Sequence, residues 1–186
     1  MPRKYIYLIA GLLLIAVSAY FKATPGGNAS LYDHSIKAEY GRPIKVVKVI
    51  DGDTVELING ENLRYVGIDT PEEVDPRKPI QCFAKEAAEE NKKLVEGKYI
   101  TFYKDISGQD KYGRWLGYVY LADGTFVNLE LVKEGLGFAY PYPPDTSKKE
   151  IFKEAEATAR QSNLGLWANC TVKKLTTGRE QTNPIQ

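Results

Sequence analysis

The stretch from Thr54 to Val66, TVELINGENLRYV, constrains the fold more than any other part of this chain. Two runs that alternate apolar and polar residues flank Asn59-Gly60. An Asn-Gly pair in that setting is a strong local signal for a β-hairpin, because the two-residue type I′ turn needs positive φ at both central positions. Such a turn sets the register. Ile58 pairs with Glu61, Val55 lies opposite Arg64, and Asp53 lies opposite Val66. Asp53 and Arg64 are then diagonal neighbours on one face, roughly 7–8 Å apart at the backbone. Further on, Pro71 has no N–H and biases Thr70 toward extended backbone, so the second strand ends and Asp69, Thr70 and Glu72 lie on an exposed rim. Strict alternation puts Asp69 on the face opposite Arg64, so a bulge or bend must bring it round.

The remaining elements follow from periodicity and breakers. Residues 44–50 are β-branched and strand-like, and the hairpin strands run near 54–58 and 63–68. Residues 83–95 carry an apolar stripe at helical spacing and stop at Gly97. Strands at 99–103 and 115–121 flank a loop at 105–114, and a short helix spans 127–134. Phe138 to Pro144 reads as irregular, with Pro143–Pro144 a candidate cis bond. Asp145 or Thr146 is expected to cap a last helix near 147–162, and Leu164 to Trp167 to close the core. Five short strands with three helices make an α+β domain, suited to a five-stranded Greek-key barrel of the OB type. The expected organisation is a signal peptide or membrane anchor at 1–22, a linker at 23–42, the folded domain at 43–172 and a flexible tail at 173–186.

Composition narrows the chemistry. Lys and Arg number 25 against 24 Asp and Glu, which excludes a general basic coat for nucleic acid and leaves only local contact at a cleft. The one histidine, His34, falls in the expected linker, so catalysis by a His pair, a Ser–His couple or a His-rich zinc site is excluded. Carboxylates, arginine, tyrosine, lysine or a hard metal remain. Arg3 and Lys4 precede an uncharged run from Tyr5 to Phe21, which reads as an export signal or a retained anchor. Either places the rest of the chain outside the cytoplasm. There Cys82 and Cys170, the only cysteines, are a disulfide candidate.

The words DGDTV, LRYVGIDTPE, DKYGR, LVKEGLGFAYPYP and GLW, in that order and spacing from about Lys45 to Trp167, resemble the staphylococcal nuclease-like (thermonuclease) family. The resemblance implies an OB barrel with three helices and an enzyme that hydrolyses DNA and RNA phosphodiesters with Ca²⁺, leaving 3′-phosphates; a monomer is expected. It implies Asp53, Asp69 and the Thr70 carbonyl as calcium ligands, and Glu72 as the group acting on the attacking water. Arg64 and Arg114 would hold the scissile phosphate, and Lys111, Tyr112, Tyr140 and Tyr142 would contact the nucleotide. The chemistry suits those roles: Ca²⁺ prefers oxygen ligands, and a guanidinium meets phosphate bidentately. The proline content of 140–144 departs from the family's usual pattern. The alternative reading is a non-catalytic module of the same fold that binds nucleic acid or protein.

Overall fold

A computed structural model describes residues 32–73, 76 and 79–185. The expected export segment and most of the linker lie outside the described residues. Among the described residues no helix is long and apolar enough to cross a membrane.

Strands β1 (Ile44–Asp51), β2 (Thr54–Leu57), β3 (Asn62–Tyr65), β5 (Tyr99–Tyr103) and β6 (Trp115–Leu121) close into a barrel in the order β1-β2-β3-β6-β5. Neighbours are antiparallel except β3 and β6, which are parallel. Alternation fixes the inside. Val55 and Leu57, Leu63 and Tyr65, and Ile100 and Phe102 all point inward and are buried. Helices α1 (Ala84–Val95), α2 (Val127–Lys133) and α3 (Lys149–Gln161) pack outside, followed by a short α4 (Leu166–Asn169). In α1 the buried positions are Ala84, Ala87, Asn91 and Val95, one helical stripe. This is the α+β OB-type barrel expected from the strand pattern.

The hairpin register differs from expectation by one residue. Thr54 pairs with Arg64, Val55 with Leu63 and Glu56 with Asn62. The loop has three residues, not two: Leu57 N–H donates to Glu61 O (2.8 Å) and Gly60 N–H to Leu57 O (2.8 Å). Gly60 has φ 85°, whereas Asn59 keeps a negative φ. That is the turn-plus-bulge solution, in which only the glycine is left-handed. Asn59 has other work: its Oδ1 accepts from Glu61 N (3.1 Å), and its carbonyl lies 2.8 Å from His34 Nδ1. With this register Asp53 is not a strand residue. It sits in the tight turn between β1 and β2, where Asp51 pairs with Thr54.

The bend needed before Asp69 is at Gly67. β3 stops at Tyr65, short of the expected 68, and Gly67 has φ 81°. Ile68–Asp69 then form β4, paired with β7 (Phe138–Ala139), so part of the segment expected to be irregular is a short strand. A Cβ on Gly67 would lie 2.4 Å from the Phe152 ring. Gly67→Ala combines left-handed strain with overpacking and should cost about 2–4 kcal/mol, a fall in Tm of roughly 5–15 °C on thermal melting. An unchanged Tm would refute this account of the bend.

Three further expectations are corrected. Neither Asp145 nor Thr146 caps the last helix, whose N-cap is Lys148 without a side-chain bond. Asp145 is buried and its Oδ1 accepts from Ile106 N (2.9 Å) and Ser107 N (2.7 Å), because the 105–114 loop has amides that need an acceptor. The stretch 32–42 is folded onto the barrel: Ala38 is buried, and Gly41 N–H donates to Phe102 O (2.9 Å). The polar end, expected to fray, forms a hairpin of β8 (Val172–Lys174) and β9 (Glu180–Thr182). A Cys82–Cys170 disulfide with Cα atoms 5.9 Å apart joins that hairpin's base to the start of α1. The Pro143–Pro144 peptide bond is cis.

Candidate active site

Three backbone segments converge at one end of the barrel. β3 carries Arg64, the β1–β2 turn carries Asp53, and β4 carries Asp69. Arg64 Nη1 forms an ion pair with Asp53 Oδ1, and Nη2 donates to Asp69 Oδ1 at 3.0 Å. Asp53 Oδ2 accepts from Thr70 N (2.9 Å) and Thr70 Oγ1 (3.1 Å), while its Oδ1 accepts from Thr54 Oγ1 (3.2 Å). Thr70 closes over Gly52, where a Cβ would lie 2.6 Å from its Oγ1. Asp53, Asp69 and Thr70 are all buried. Arg64 Nη1 is buried against Asp53, so the guanidinium is fixed in place by the two carboxylates.

Asp51 completes the floor. Its Oδ1 accepts from Asp53 N (2.9 Å), and Asn91 Nδ2 donates to its carbonyl (3.1 Å), tying the turn to α1. Burial, reinforced by the charge of Asp53, pushes the Asp51 carboxyl up to about 7. Burial also pushes Asp69 up, against the pull of Arg64. Burial disfavours the Arg64 charge, but Asp53, Asp69 and Asp51 more than offset it and hold the guanidinium cationic.

The wall above this floor belongs to the loop 105–114 and the segment after β7. Arg64, Lys111, Tyr112, Arg114, Tyr140 and Tyr142 line one cleft of about 500 Å³. Asp110 shapes the loop by accepting from Tyr112 N (2.9 Å), Arg114 N (3.0 Å) and Arg114 Nε (2.8 Å). Tyr112 and Tyr142 are 73% and 66% exposed, so neither serves the core. Tyr140 and Tyr142 stack with centroids 6.2 Å apart, and Lys111 Nζ lies 5.0 Å from the Tyr112 ring centre. A larger groove of about 620 Å³ between β1 and α1 has no guanidinium and no cluster of tyrosines.

The structure thus brings Asp53, Arg64, Asp69 and Thr70 into direct contact and sets Lys111, Tyr112, Arg114, Tyr140 and Tyr142 around the same cleft. Asp53, Asp69 and Thr70 lie behind Arg64 and do not themselves line the cleft, and Glu72 does not line it either. Glu72 is half-buried, and its backbone is held by Gln81 through N–H to Oε1 (2.9 Å) and carbonyl to N–H (2.9 Å). Sequence reasoning missed four residues. Asp51 and Asp110 had a signal, standing two and four residues from Asp53 and Arg114 in compact turns. Asp145 was read as a cap. Arg179 had none: it lies 110 residues from Asp69, yet its Nε donates to Asp69 Oδ2 (2.5 Å) and its Nη2 to Asp69 Oδ1 (2.9 Å).

The donor set bears on whether a metal would fit. Asp53, Asp69 and the Thr70 carbonyl are hard oxygen donors of the kind that hold Ca²⁺. Burial pushes the Asp51 and Asp69 carboxyls up, with the charge of Asp53 adding to it. The chemistry fits, but among the described residues no group of three or more His, Cys, Asp or Glu is arranged to hold a metal ion. Asp69 is turned onto Arg64 and Arg179. The burial of Asp51 has a pH consequence. The folded-state pKa of Asp51, about 7, exceeds its ordinary value of 3.8. The stability linked to it is therefore complete below about pH 4 and lost as pH rises through about 7. Urea melts in chelator should show that decline, and Asp51→Asn should flatten it; an equal slope in both proteins would contradict the assignment.

Comparison with known proteins agrees with this geometry. Residues 62–169 match the family model described as "Staphylococcal nuclease homologue". The chain is 32% identical over 167 residues to the thermonuclease of Staphylococcus hyicus, covering 88% of this chain and 95% of that protein. It is 38% identical over 130 residues to the thermonuclease of Staphylococcus intermedius, covering 68% of this chain and 77% of that one. It is 40% identical over 126 residues to endonuclease YncB of Bacillus subtilis (strain 168), covering 65% of this chain and 59% of that protein. With the matched region spanning more than half of the chain and containing the Arg64 and Arg114 cleft, this protein belongs to the staphylococcal nuclease homologue family.

Proposed function

We propose that this protein is an exported or membrane-anchored nuclease that hydrolyses phosphodiester bonds of DNA and RNA with Ca²⁺ and leaves 3′-phosphates. The observation that carries the reading is Arg64. It is buried among three aspartates, fixed by Asp53 and Asp69, and lines the same cleft as Arg114, Tyr112, Tyr140 and Tyr142. A guanidinium so fixed meets a phosphate without reorganising, and stabilises charge that grows as water adds to phosphorus. Arg114 would add a second fork from the cleft wall, oriented by Asp110. Tyr112, Tyr140 and Tyr142 offer ring faces that stack on any base, which suits low sequence preference and both nucleic acids. Asp53, Asp69 and the Thr70 carbonyl would hold Ca²⁺, which when bound supplies positive charge to a phosphoryl oxygen. Glu72 would be the carboxylate that takes the proton of the attacking water. Export is supported by the charged-then-apolar N-terminal run and by the disulfide. The enzyme would act as a monomer.

Digestion of plasmid DNA and of RNA with Ca²⁺, repeated with chelator, tests the reading. Cleavage should stop with chelator, and product 3′ ends should accept polymerase extension only after phosphatase treatment. Tight binding of both nucleic acids with no cleavage under any divalent cation would replace the enzyme with the binding module.

A further inference from the structure

The contact between Arg179 and Asp69 joins the extreme C-terminal hairpin to the floor of the cleft. Both oxygens of a carboxylate with 6% of its side chain exposed are taken side-on by one guanidinium, at 2.5 and 2.9 Å. A hard divalent cation sits roughly 2.3–2.6 Å from a carboxylate oxygen. The space that such an ion needs beside Asp69 Oδ2 is where the Arg179 Nε–H now points, and the two positive charges repel. Occupation by one therefore opposes occupation by the other.

The hairpin is built to let go at one end only. Its base is tied by the Cys82–Cys170 bridge, by Cys82 N–H to Asn183 O (2.7 Å) and by Thr182 Oγ1 to Cys82 O (2.8 Å), while Glu180, where the strands meet the tip, pairs with Arg160 (3.0 Å). The tip hydrogen-bonds within its own turn, Leu175 N–H to Arg179 O (2.8 Å) and Gly178 N–H to Leu175 O (2.9 Å). The Arg179 side chain is 35% exposed, so it can rotate into water without disturbing the base. It also lies 5.8 Å from the Tyr140 ring centre, across the face of a cleft-lining aromatic.

We infer that the C-terminal hairpin is an autoinhibitory strap, in which Arg179 occupies the Asp69 carboxylate until a divalent cation displaces it. This rests on the calcium reading above and adds regulation of the same site. Withdrawing Arg179 leaves Asp53 and Asp69 facing the single charge of Arg64, a balance that favours a doubly charged ion. Covering the carboxylates otherwise keeps them compensated in the absence of that ion.

The test uses the full chain, oxidised and in mild detergent, with calcium binding followed by calorimetry. Arg179→Gln keeps the bulk and removes the charge and the fork, and should bind Ca²⁺ roughly tenfold to hundredfold more tightly than the unaltered protein. Lys174→Gln removes a positive charge from the same hairpin away from the contact and should shift affinity by less than about twofold. In the unaltered protein, Ca²⁺ should speed amide hydrogen exchange at 175–179 while 180–183 stay protected. Equal or weaker affinity in Arg179→Gln, or an equal gain in Lys174→Gln, would overturn the strap and leave the calcium reading standing. No Ca²⁺ binding by any of the three proteins would overturn both.

Discussion

Arg64→Lys should leave a folded protein whose phosphodiester cleavage is lower by roughly 10²–10³-fold. The ammonium keeps the positive charge among Asp51, Asp53 and Asp69, so the floor stays compensated. It loses the planar fork that now meets Asp53 with one nitrogen and Asp69 with another. Arg64→Ala should lose at least as much activity and, in addition, about 3–5 kcal/mol of stability, because it strands buried carboxylates. Part of that stability should return at low pH, where Asp51 and Asp69, already pushed up, take protons readily. Single-turnover cleavage and urea unfolding of the two variants separate the effects. Near-normal turnover in Arg64→Lys would show that charge alone suffices, and the case for a fixed fork at this position would fail.

Removing the disulfide should have the next largest effect. Cys82 and Cys170 are 88 residues apart, so their bridge restricts a long loop of the unfolded chain. Cys82→Ser with Cys170→Ser should cost about 2–5 kcal/mol, measured as a lower urea midpoint with a steeper or unchanged slope. The penalty should come from the unfolded state chiefly, since the C-terminal segment's hydrogen bonds to Ile80 and Cys82 persist without the bridge. A loss below about 1 kcal/mol would mean that those bonds already hold the chain's end, or that the reduced unfolded chain stays compact there.

Much of the barrel was legible because its cause is local. Val55 and Leu57, or Ile100 and Phe102, alternate with polar neighbours, and alternation needs no distant information. The α1 stripe was legible for the same reason. The hairpin register was not, since Asn59-Gly60 serves a two-residue and a three-residue turn equally well in sequence. His34 and Glu61, which bond to Asn59 in the fold, lie outside the pair itself. Asp145 stood where a helix cap belongs, and only the approach of the 105–114 loop gives its carboxylate another use.

The sequence by itself determined the strand-rich barrel, the helix stripes and which carboxylates and arginines stand near which turns, because propensity and periodicity act over a few residues. Tertiary structure alone decided that Gly67 turns Asp69 back onto Arg64, that burial pushes the Asp51 carboxyl up, and that Arg179 lies on Asp69. Those outcomes depend on the Coulomb energy and desolvation of groups brought together by folding, and such energies are set by distance in space and burial, which chain position does not encode.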